Sequence, residues 1–151
     1  MRPVILVLIG LALGGLFRPA DIAWAQAPAP SGTVITIAGN GVAGFSGDGG
    51  PALDASINYP YGSAIGPDGT LYFADNGNYR IRAIDPATGI ITTIAGNGNH
   101  GDDDSNDGPA TEADLSGVVG IAVDRARNTL YFGDFGQNWV SKVDLASGGR
   151  P

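Results

Sequence analysis

The chain has 151 residues, enough for one domain, and it is acidic, with 8 lysines and arginines against 15 aspartates and glutamates and a formal net charge of −7 at pH 7. A surface of this sign repels phosphate backbones, because nucleic-acid affinity depends on basic side chains that release counterions. We therefore expect no nucleic-acid partner. The absence of cysteine excludes disulfides and a cysteine-linked lipid anchor.

The first 25 residues have the features of a secretory signal peptide. Arg2 supplies a positive charge, and residues 4–17 are a run of 14 apolar or small side chains, shorter than the roughly 20 that a membrane-spanning helix needs. Ala23-Trp24-Ala25 gives the small-x-small pattern of a signal-peptidase site and predicts cleavage before Gln26. An uncleaved anchor is the alternative. After cleavage, with 6 basic and 14 acidic residues left, the chain is expected to be secreted or periplasmic, without stable membrane insertion.

The rest of the sequence repeats itself. Thr-Ile-Ala-Gly-Asn-Gly at residues 36–41 returns at residues 93–98, and the Leu-Tyr-Phe-x-Asp motif of residues 71–75 returns at residues 130–134. The offsets of 57 to 59 define a period of about 58, which identifies consecutive structural units. The predicted organisation is a signal peptide over residues 1–25, a linker over 26–33, a repeat segment over 34–147 with units of about 34–89 and 90–147, and a tail over 148–151.

Each unit has the pattern of four short strands. In the first unit, turn sequences such as Pro67-Asp68-Gly69 separate the apolar runs. Residues 71–73 are apolar on both faces, as in a strand that lies between two neighbouring sheets. Repeated four-stranded sheets that must stack on one another are typical of a β-propeller. The predicted fold is all-β, with one complete blade (strands at residues 63–65, 70–74, 79–84 and 90–95), one incomplete blade at residues 120–144, one preceding strand at residues 34–38 and a single helical turn within residues 51–57.

The first unit resembles the NHL repeat of exported bacterial propellers. The resemblance lies in Gly-Asp-Gly-Gly-Pro-Ala at residues 47–52, Gly-Thr-Leu-Tyr-Phe-Ala-Asp at 69–75, Arg-Ile-Arg at 80–82 and Thr-Ile-Ala-Gly at 93–96. It implies the propeller fold and leaves the function open, because the family includes binding scaffolds, sensor ectodomains and enzymes. The second unit has Trp139 where the first has Arg80, so any role implied for that arginine applies to the first unit only.

Two units do not close a propeller, which needs about four to eight blades. The favoured interpretation is that the chain is a fragment of a longer propeller. In the alternative, the strand at residues 34–38 completes the last blade of a neighbouring copy, and three copies form a six-bladed ring like that of a two-blade lectin. Under either interpretation, further blades or copies of the chain are expected as partners.

Candidate ligand-binding residues lie in two connections that strand direction places at one end of the sheets. These connections are residues 39–60 and 75–78, and the sites of closed propellers gather around one mouth of the channel. The alternative is that these side chains stabilise turns and brace the adjacent blade. A protein or a carbohydrate would be the ligand, and the candidate residues are Tyr59, Tyr61, Asp75, Asn78 and Arg80.

An acidic loop is a candidate calcium site. Asp103, Ser105, Asp107 and Asp114 occupy positions 1, 3, 5 and 12 of a calcium-loop template. The alternative is a solvated acidic loop, which the first unit favours because it has Phe45 in place of Asp103. No other cofactor is predicted.

The sequence supplies little for catalysis. His100 is the only histidine and Glu112 the only glutamate, so one copy cannot hold a histidine-based metal cluster. No catalytic residue is predicted. The sequence predicts an exported NHL-repeat segment that acts as a binding or interaction scaffold. The alternatives are part of a propeller hydrolase or lyase, whose active site needs more blades, and an oligomeric two-blade lectin.

Overall fold

The structure is a computed structural model that describes residues 31–101 and 108–145. The predicted signal peptide lies outside these residues, as do Asp103, Ser105 and Asp107 of the acidic loop. The fold is all-β, as predicted. A four-stranded antiparallel sheet is followed by a three-stranded antiparallel sheet, and the strands of each sheet lie in chain order.

The strands agree with the predicted ones to within about three residues in the first sheet. That sheet contains β1 (Pro60–Ile65), β2 (Leu71–Asp75), β3 (Arg80–Ile84) and β4 (Ile91–Ala95). The second contains β5 (Val118–Asp124), β6 (Thr129–Asp134) and β7 (Trp139–Asp144). Short 3₁₀ turns lie at Ala52–Asp54, Asn76–Asn78 and Ala110–Glu112. The expected helical turn is thus a single 3₁₀ turn.

Aspartate side chains shape the tight turns that join the strands. Asp68 accepts a hydrogen bond from the backbone N–H of Thr70 at 3.1 Å, and Asp85 accepts one from Ala87 at 2.7 Å. Such bonds between a side chain and the backbone two residues further on favour a turn over continued strand. Between the turns, neighbouring strands pair antiparallel, and β2 and β3 pair without a register shift, with Tyr72 opposite Ala83.

The two sheets pack against each other through an apolar core. Gly62 on β1 allows a close approach of the sheets, because a Cβ atom there would lie 2.5 Å from the carbonyl oxygen of Val119 on β5. Sheets that pack in this way share a core that neither builds alone. This core consists of Tyr72, Ala74, Ile81, Ala83, Ile94, Ala95, Leu115, Val118, Leu130, Phe132 and Val143.

The opposite face of the first sheet is covered by the connection that precedes β1. Ala52 and Ala55 of this connection pack against Phe73, Ile84 and Ile91 of the sheet, and all five are buried. The first sheet therefore has apolar side chains on both faces, as predicted for a blade that lies between neighbours.

Residues 34–38 form no strand in the described structure, unlike the expectation from the repeat. Val34 is 97% exposed. The backbone that follows is nonetheless held as in the second unit, since Gly39 donates to Ala52 at 2.9 Å just as Gly96 donates to Ala110 at 2.8 Å. A strand needs a paired edge, and residues 34–38 pair with no strand within residues 31–101 and 108–145.

Candidate functional site

The two connections that the sequence placed together do meet at one end of the first sheet. The N–H of Gly77 donates to the carbonyl of Asn58 at 2.9 Å, and the side-chain amide of Asn78 donates to the carbonyl of Gly44 at 2.7 Å. We call this the loop end of the blades. It carries residues 39–59 and 76–79 of the first unit, and residues 108–117 and 135–138 of the second.

A buried ion cluster lies beneath the loop end of the first sheet. Arg82 on β3 is fully buried and lies 3.1 Å from Asp75 on β2, which is also fully buried. Its second terminal nitrogen lies 2.7 Å from Asp48 of the preceding connection and donates to the carbonyl of Ser46 at 3.2 Å. A buried charge is tolerated when it is paired and hydrogen-bonded. The cluster therefore ties the connection to the sheet.

Phe45 completes this cluster. Its ring centroid lies 4.0 Å from the guanidinium carbon of Arg80 and 4.9 Å from that of Arg82, so two cations share one aromatic ring. Arg80 also donates to the carbonyls of Gly96 at 2.9 Å and Asn97 at 2.6 Å. Burial lowers the pKa of Arg80, and Asp48 acts in the opposite direction.

Three of the predicted ligand-binding residues thus make hydrogen bonds to the chain itself. Asp75 accepts from the N–H of Asn58 and from the side-chain amide of Asn78, each at 2.8 Å, in addition to Arg82. Asn78 and Arg80 bond backbone carbonyls of neighbouring connections. Through these hydrogen bonds, the three side chains hold the connections of the loop end in place.

The second unit has a buried carboxylate at the same position but, in the described residues, no ion cluster around it. Asp134 is the counterpart of Asp75 and is only 2% exposed. It accepts from the N–H and the hydroxyl of Ser116, at 2.8 and 3.2 Å, and from the N–H of Gly136 at 3.2 Å. Ser141 occupies the strand position of Arg82, opposite Phe132 as Arg82 is opposite Phe73.

The most exposed aromatic residue at the loop end comes from a different position in each unit. Tyr59 is 72% exposed and Phe135 is 62% exposed. In each unit, the position that matches the exposed aromatic residue of the other unit holds a small or polar residue. Gly117 is the counterpart of Tyr59, and a Cβ atom there would collide with the Phe135 ring. Asn76 is the counterpart of Phe135.

Tyr59 holds an unusual backbone conformation. Its φ of 48° lies in the left-handed region, which is uncommon for a bulky residue. Strain of this kind concentrates at functional sites. Tyr61 follows two residues later on β1 and is 54% exposed. Of the five predicted ligand-binding residues, these two present their side chains to solvent.

Sequence reasoning missed four residues of the loop end: Phe45, Asp48, Arg82 and Phe135. Arg82 carried a detectable signal, because it is a charged residue within the apolar run of β3 and is replaced by serine in the second unit. Phe135 carried a weaker one, as an aromatic residue within a turn. Neither Phe45 nor Asp48 stands out in its glycine-rich segment.

In each unit, an asparagine side chain hydrogen-bonds the connection that precedes the first strand of the sheet. In the second unit, this asparagine also contacts Asp114. The Asn97 side-chain amide donates to the carbonyl of Glu112 at 3.0 Å and to the Asp114 carboxylate at 2.5 Å. Asn40 donates in the same way to the carbonyl of Asp54 at 3.0 Å and the hydroxyl of Ser56 at 3.2 Å. In the part of the chain that the structure describes, no group of three or more histidine, aspartate and glutamate side chains is placed to share a metal ion.

Comparisons with known proteins identify the repeat. The family model of the Teneurin NHL domain matches residues 26–85. Human Teneurin-1 is 62% identical over 40 residues, which are 26% of this chain and 2% of that protein. The chloroplastic protein SUPPRESSOR OF QUENCHING 1 of Arabidopsis thaliana is 29% identical over 104 residues, which are 69% of this chain and 10% of that protein. The chain therefore spans a small part of these relatives.

A solved structure places the repeat in its fold. An auxiliary nutrient binding protein of Bacteroides thetaiotaomicron superposes with a TM-score of 0.50 at 28% identity, covering 61% of this chain and 24% of that one. Within the described residues, the stacked antiparallel sheets are those of β-propeller blades, one four-stranded and one three-stranded. The chain carries NHL repeats, as the match of residues 26–85 and the similarity to Teneurin-1 indicate.

Within residues 31–101 and 108–145, the chain contains no helix with the length and apolar character needed to cross a bilayer.

Proposed function

We propose that the chain is an exported, non-catalytic binding scaffold whose loop end binds a carbohydrate. One observation carries the proposal: the most exposed aromatic residue at the loop end comes from a different position in each unit, Tyr59 in the first and Phe135 in the second. Packing alone does not require that arrangement, because either position buries little of its ring. A retained aromatic side chain at a strained, exposed position is typical of a binding surface.

The chemistry of these side chains favours a sugar. A tyrosine combines an apolar ring face with a hydroxyl group, and a pyranose presents apolar C–H faces edged by hydroxyls. The charged groups of the buried cluster are engaged by one another, since Arg82 pairs with Asp75 and Asp48. This leaves aromatic contact as the main means of recognition at the loop end. The nutrient-binding description of the similar Bacteroides structure supports a soluble nutrient as the ligand.

Export is the second part of the proposal. It is supported by the charged start, the 14-residue apolar run and the Ala23-Trp24-Ala25 site. N-terminal sequencing of the protein released by the cells tests this part. A mature terminus at Gln26 is the expected result, and Met1 recovered in the membrane fraction would contradict it.

Affinity gel electrophoresis against a panel of neutral plant and microbial polysaccharides tests the binding. We expect at least one polysaccharide to retard the protein, and the Tyr59→Gly/Phe135→Ala variant to lose at least tenfold in affinity for it. Tyr59→Gly introduces the residue found at this position in the second unit, so it relieves the strained φ while removing the ring.

The matched control is Ile65→Ala. Ile65 is 52% exposed and lies at the opposite end of β1. Its truncation should leave retardation unchanged. Equal retardation of all three proteins would contradict the placement of the site, and no retardation by any polysaccharide would contradict the carbohydrate. Release of reducing ends during incubation would instead favour the hydrolase or lyase alternative.

A further inference from the structure

Asparagine followed directly by glycine occurs three times in the sequence, at residues 40–41, 76–77 and 97–98. Such a pair is prone to deamidation, because glycine has no side chain to hinder the approach of its backbone nitrogen to the asparagine side chain. That nitrogen attacks the Cγ atom and forms a C–N bond, while the side-chain nitrogen takes up the proton of the attacking N–H and leaves as ammonia. Water then opens the cyclic imide to aspartate or isoaspartate, so a neutral side chain becomes a carboxylate.

The structure holds the side chain of Asn97 at both of its polar atoms. Its Oδ1 accepts from the N–H of Asn99 at 2.8 Å. Its amide nitrogen donates to the carbonyl of Glu112 at 3.0 Å and to the Asp114 carboxylate at 2.5 Å. These hydrogen bonds between a side chain and nearby groups fix the position of Cγ, the atom that the reaction attacks.

Arg80 on β3 holds the other reacting group, the peptide bond after Asn97. Its guanidinium donates to the carbonyl of Asn97 at 2.6 Å and to that of Gly96 at 2.9 Å. Because a peptide unit is planar, the bond to the Asn97 carbonyl also fixes the backbone nitrogen of Gly98. Arg80 covers Gly98 as well, since a Cβ atom there would lie 2.5 Å from Nη2 of Arg80. We call Arg80 and residues 96–98 the junction, because this segment leads from the first sheet to the second.

The two units differ in what an aspartate product would face. The amide nitrogen of Asn40, the counterpart of Asn97, donates to the hydroxyl of Ser56 at 3.2 Å. A hydroxyl group donates as well as accepts, so Ser56 can turn its proton toward a carboxylate at position 40. Asp114 is the counterpart of Ser56. A carboxylate at position 97 would therefore face another carboxylate at hydrogen-bond distance, and like charges so close cannot both stay ionised without cost.

We infer that Asn97-Gly98 is a latent deamidation site that records opening of the junction. While Arg80 holds the peptide bond, the backbone nitrogen of Gly98 does not reach Cγ, and the reaction requires local opening. After opening, loss of ammonia gives a carboxylate that Asp114 repels, so the junction does not close as before. The change is permanent, because hydrolysis of the imide does not restore the amide. The aspartate product at Asn40 leaves the first unit closed.

Aspartate variants test the consequence of the reaction. We expect Asn97→Asp to lower Tm by about 5 °C or more and Asn40→Asp, the matched control, by less than about 2 °C. Asp114→Ser added to Asn97→Asp gives the second unit the residue pair of the control and should restore at least half of the loss. The double variant also decides the case in which Asn97→Asp alone does not fold. Equal losses at the two asparagines, or no recovery with Asp114→Ser, would overturn the inference.

The rate of deamidation tests the protection by Arg80. In mildly alkaline buffer, peptide mass spectrometry follows the conversion of Asn97, with Asn40 of the same molecules as the internal reference. Arg80→Met should speed conversion at Asn97 about tenfold, the effect of losing hydrogen bonds that oppose opening, and leave Asn40 unchanged. Arg125→Met is the control, because Arg125 also donates to a backbone carbonyl, that of Ile65 at 3.2 Å.

Each of the other outcomes contradicts the inference. An unchanged rate at Asn97 would show that Arg80 does not protect the peptide bond. An equal rise at Asn97 and Asn40 would show that Arg80→Met opens the chain as a whole rather than the junction. A rise at Asn97 in the Arg125→Met variant, as large as that in Arg80→Met, would show that protection does not depend on the contact at the junction.

Discussion

The two NHL repeats place an equivalent carboxylate at the end of their second strand, and they stabilise it in different ways. Asp75 of the first repeat bonds a buried guanidinium, an amide and a backbone N–H. Asp134 of the second bonds Ser116 through its backbone and hydroxyl and receives further backbone N–H groups from the turn. In the described residues, no cation lies within salt-bridge distance of Asp134.

The difference extends beyond one residue, because the partners of Arg82 change together. In the second repeat, Ser141 replaces Arg82, Trp139 replaces Arg80, and the residues that match Phe45 and Asp48 are Asp103 and Asn106. A buried cation without its anions costs several kcal/mol. The cluster is therefore kept or lost as a set, and a blade needs the buried carboxylate but not the arginine.

The largest expected effect comes from removing the arginine of the first repeat. Arg82→Met keeps an apolar stem but leaves Asp75 as an uncompensated buried charge, so we expect the free energy of unfolding to fall by about 3–5 kcal/mol. Denaturant titration followed by circular dichroism measures it. Lys142→Met, at an exposed site on the matching strand, is the control and should change the value by less than about 0.5 kcal/mol.

An Arg82→Met/Asp75→Asn variant checks the cause of that loss. Removing both charges should recover part of the stability, because the penalty comes from an unpaired charge rather than from the missing contact. Additive losses in the double variant would show that the two side chains act independently and would contradict the ion-cluster interpretation.

Particular positions show which structural features could be predicted from the sequence and which could not. The strands were predictable because Leu71-Tyr72-Phe73 and the aspartate turns recur with the repeat. The loop end was predictable from strand direction, and Asn78 does meet Gly44 there. The role of Arg82 was not, since its anions lie 7 and 34 residues away along the chain and no local pattern links them. The change of the exposed aromatic residue from Tyr59 in the first repeat to Phe135 in the second was not predictable either. Within a repeat, these two positions become neighbours only after the connections fold.

The second prediction compares the two carboxylates directly. Asp75→Asn removes an anion from a buried cation and should cost about 3 kcal/mol, the upper end for hydrogen bonds to charged groups. Asp134→Asn weakens hydrogen bonds from neutral donors and should cost about 1 kcal/mol. The denaturant midpoints of the two variants measure this difference in stability. A larger loss for Asp134→Asn would mean that the second repeat depends on its carboxylate more than the first.

A smaller effect is expected from the aromatic ring of the cluster. Phe45→Leu keeps an apolar side chain but removes the ring that faces Arg80 and Arg82, so the expected loss is about 1 kcal/mol. Val42→Ala is the control, since Val42 is 62% exposed in the same connection. If Phe45→Leu is as stable as the control, the ring contributes packing that leucine can replace.

The smallest expected effect concerns calcium and the second repeat. A cation bound by Asp103, Ser105, Asp107 and Asp114 would supply the positive charge that the first repeat takes from arginine. An ion that binds only the folded chain adds about 2.7 kcal/mol when it is present at 100 times its Kd, which a melting curve resolves easily. We expect no shift in Tm between 1 mM calcium and excess chelator, because Asp114 already accepts a hydrogen bond from Asn97 and the first repeat has no acidic residue at the positions that match Asp103 and Asp107. Magnesium is the control ion and Asp103→Asn/Asp107→Asn the control variant. A rise in Tm that calcium alone produces, and that this variant abolishes, would establish the metal site and show that the second repeat replaces a guanidinium with a bound ion.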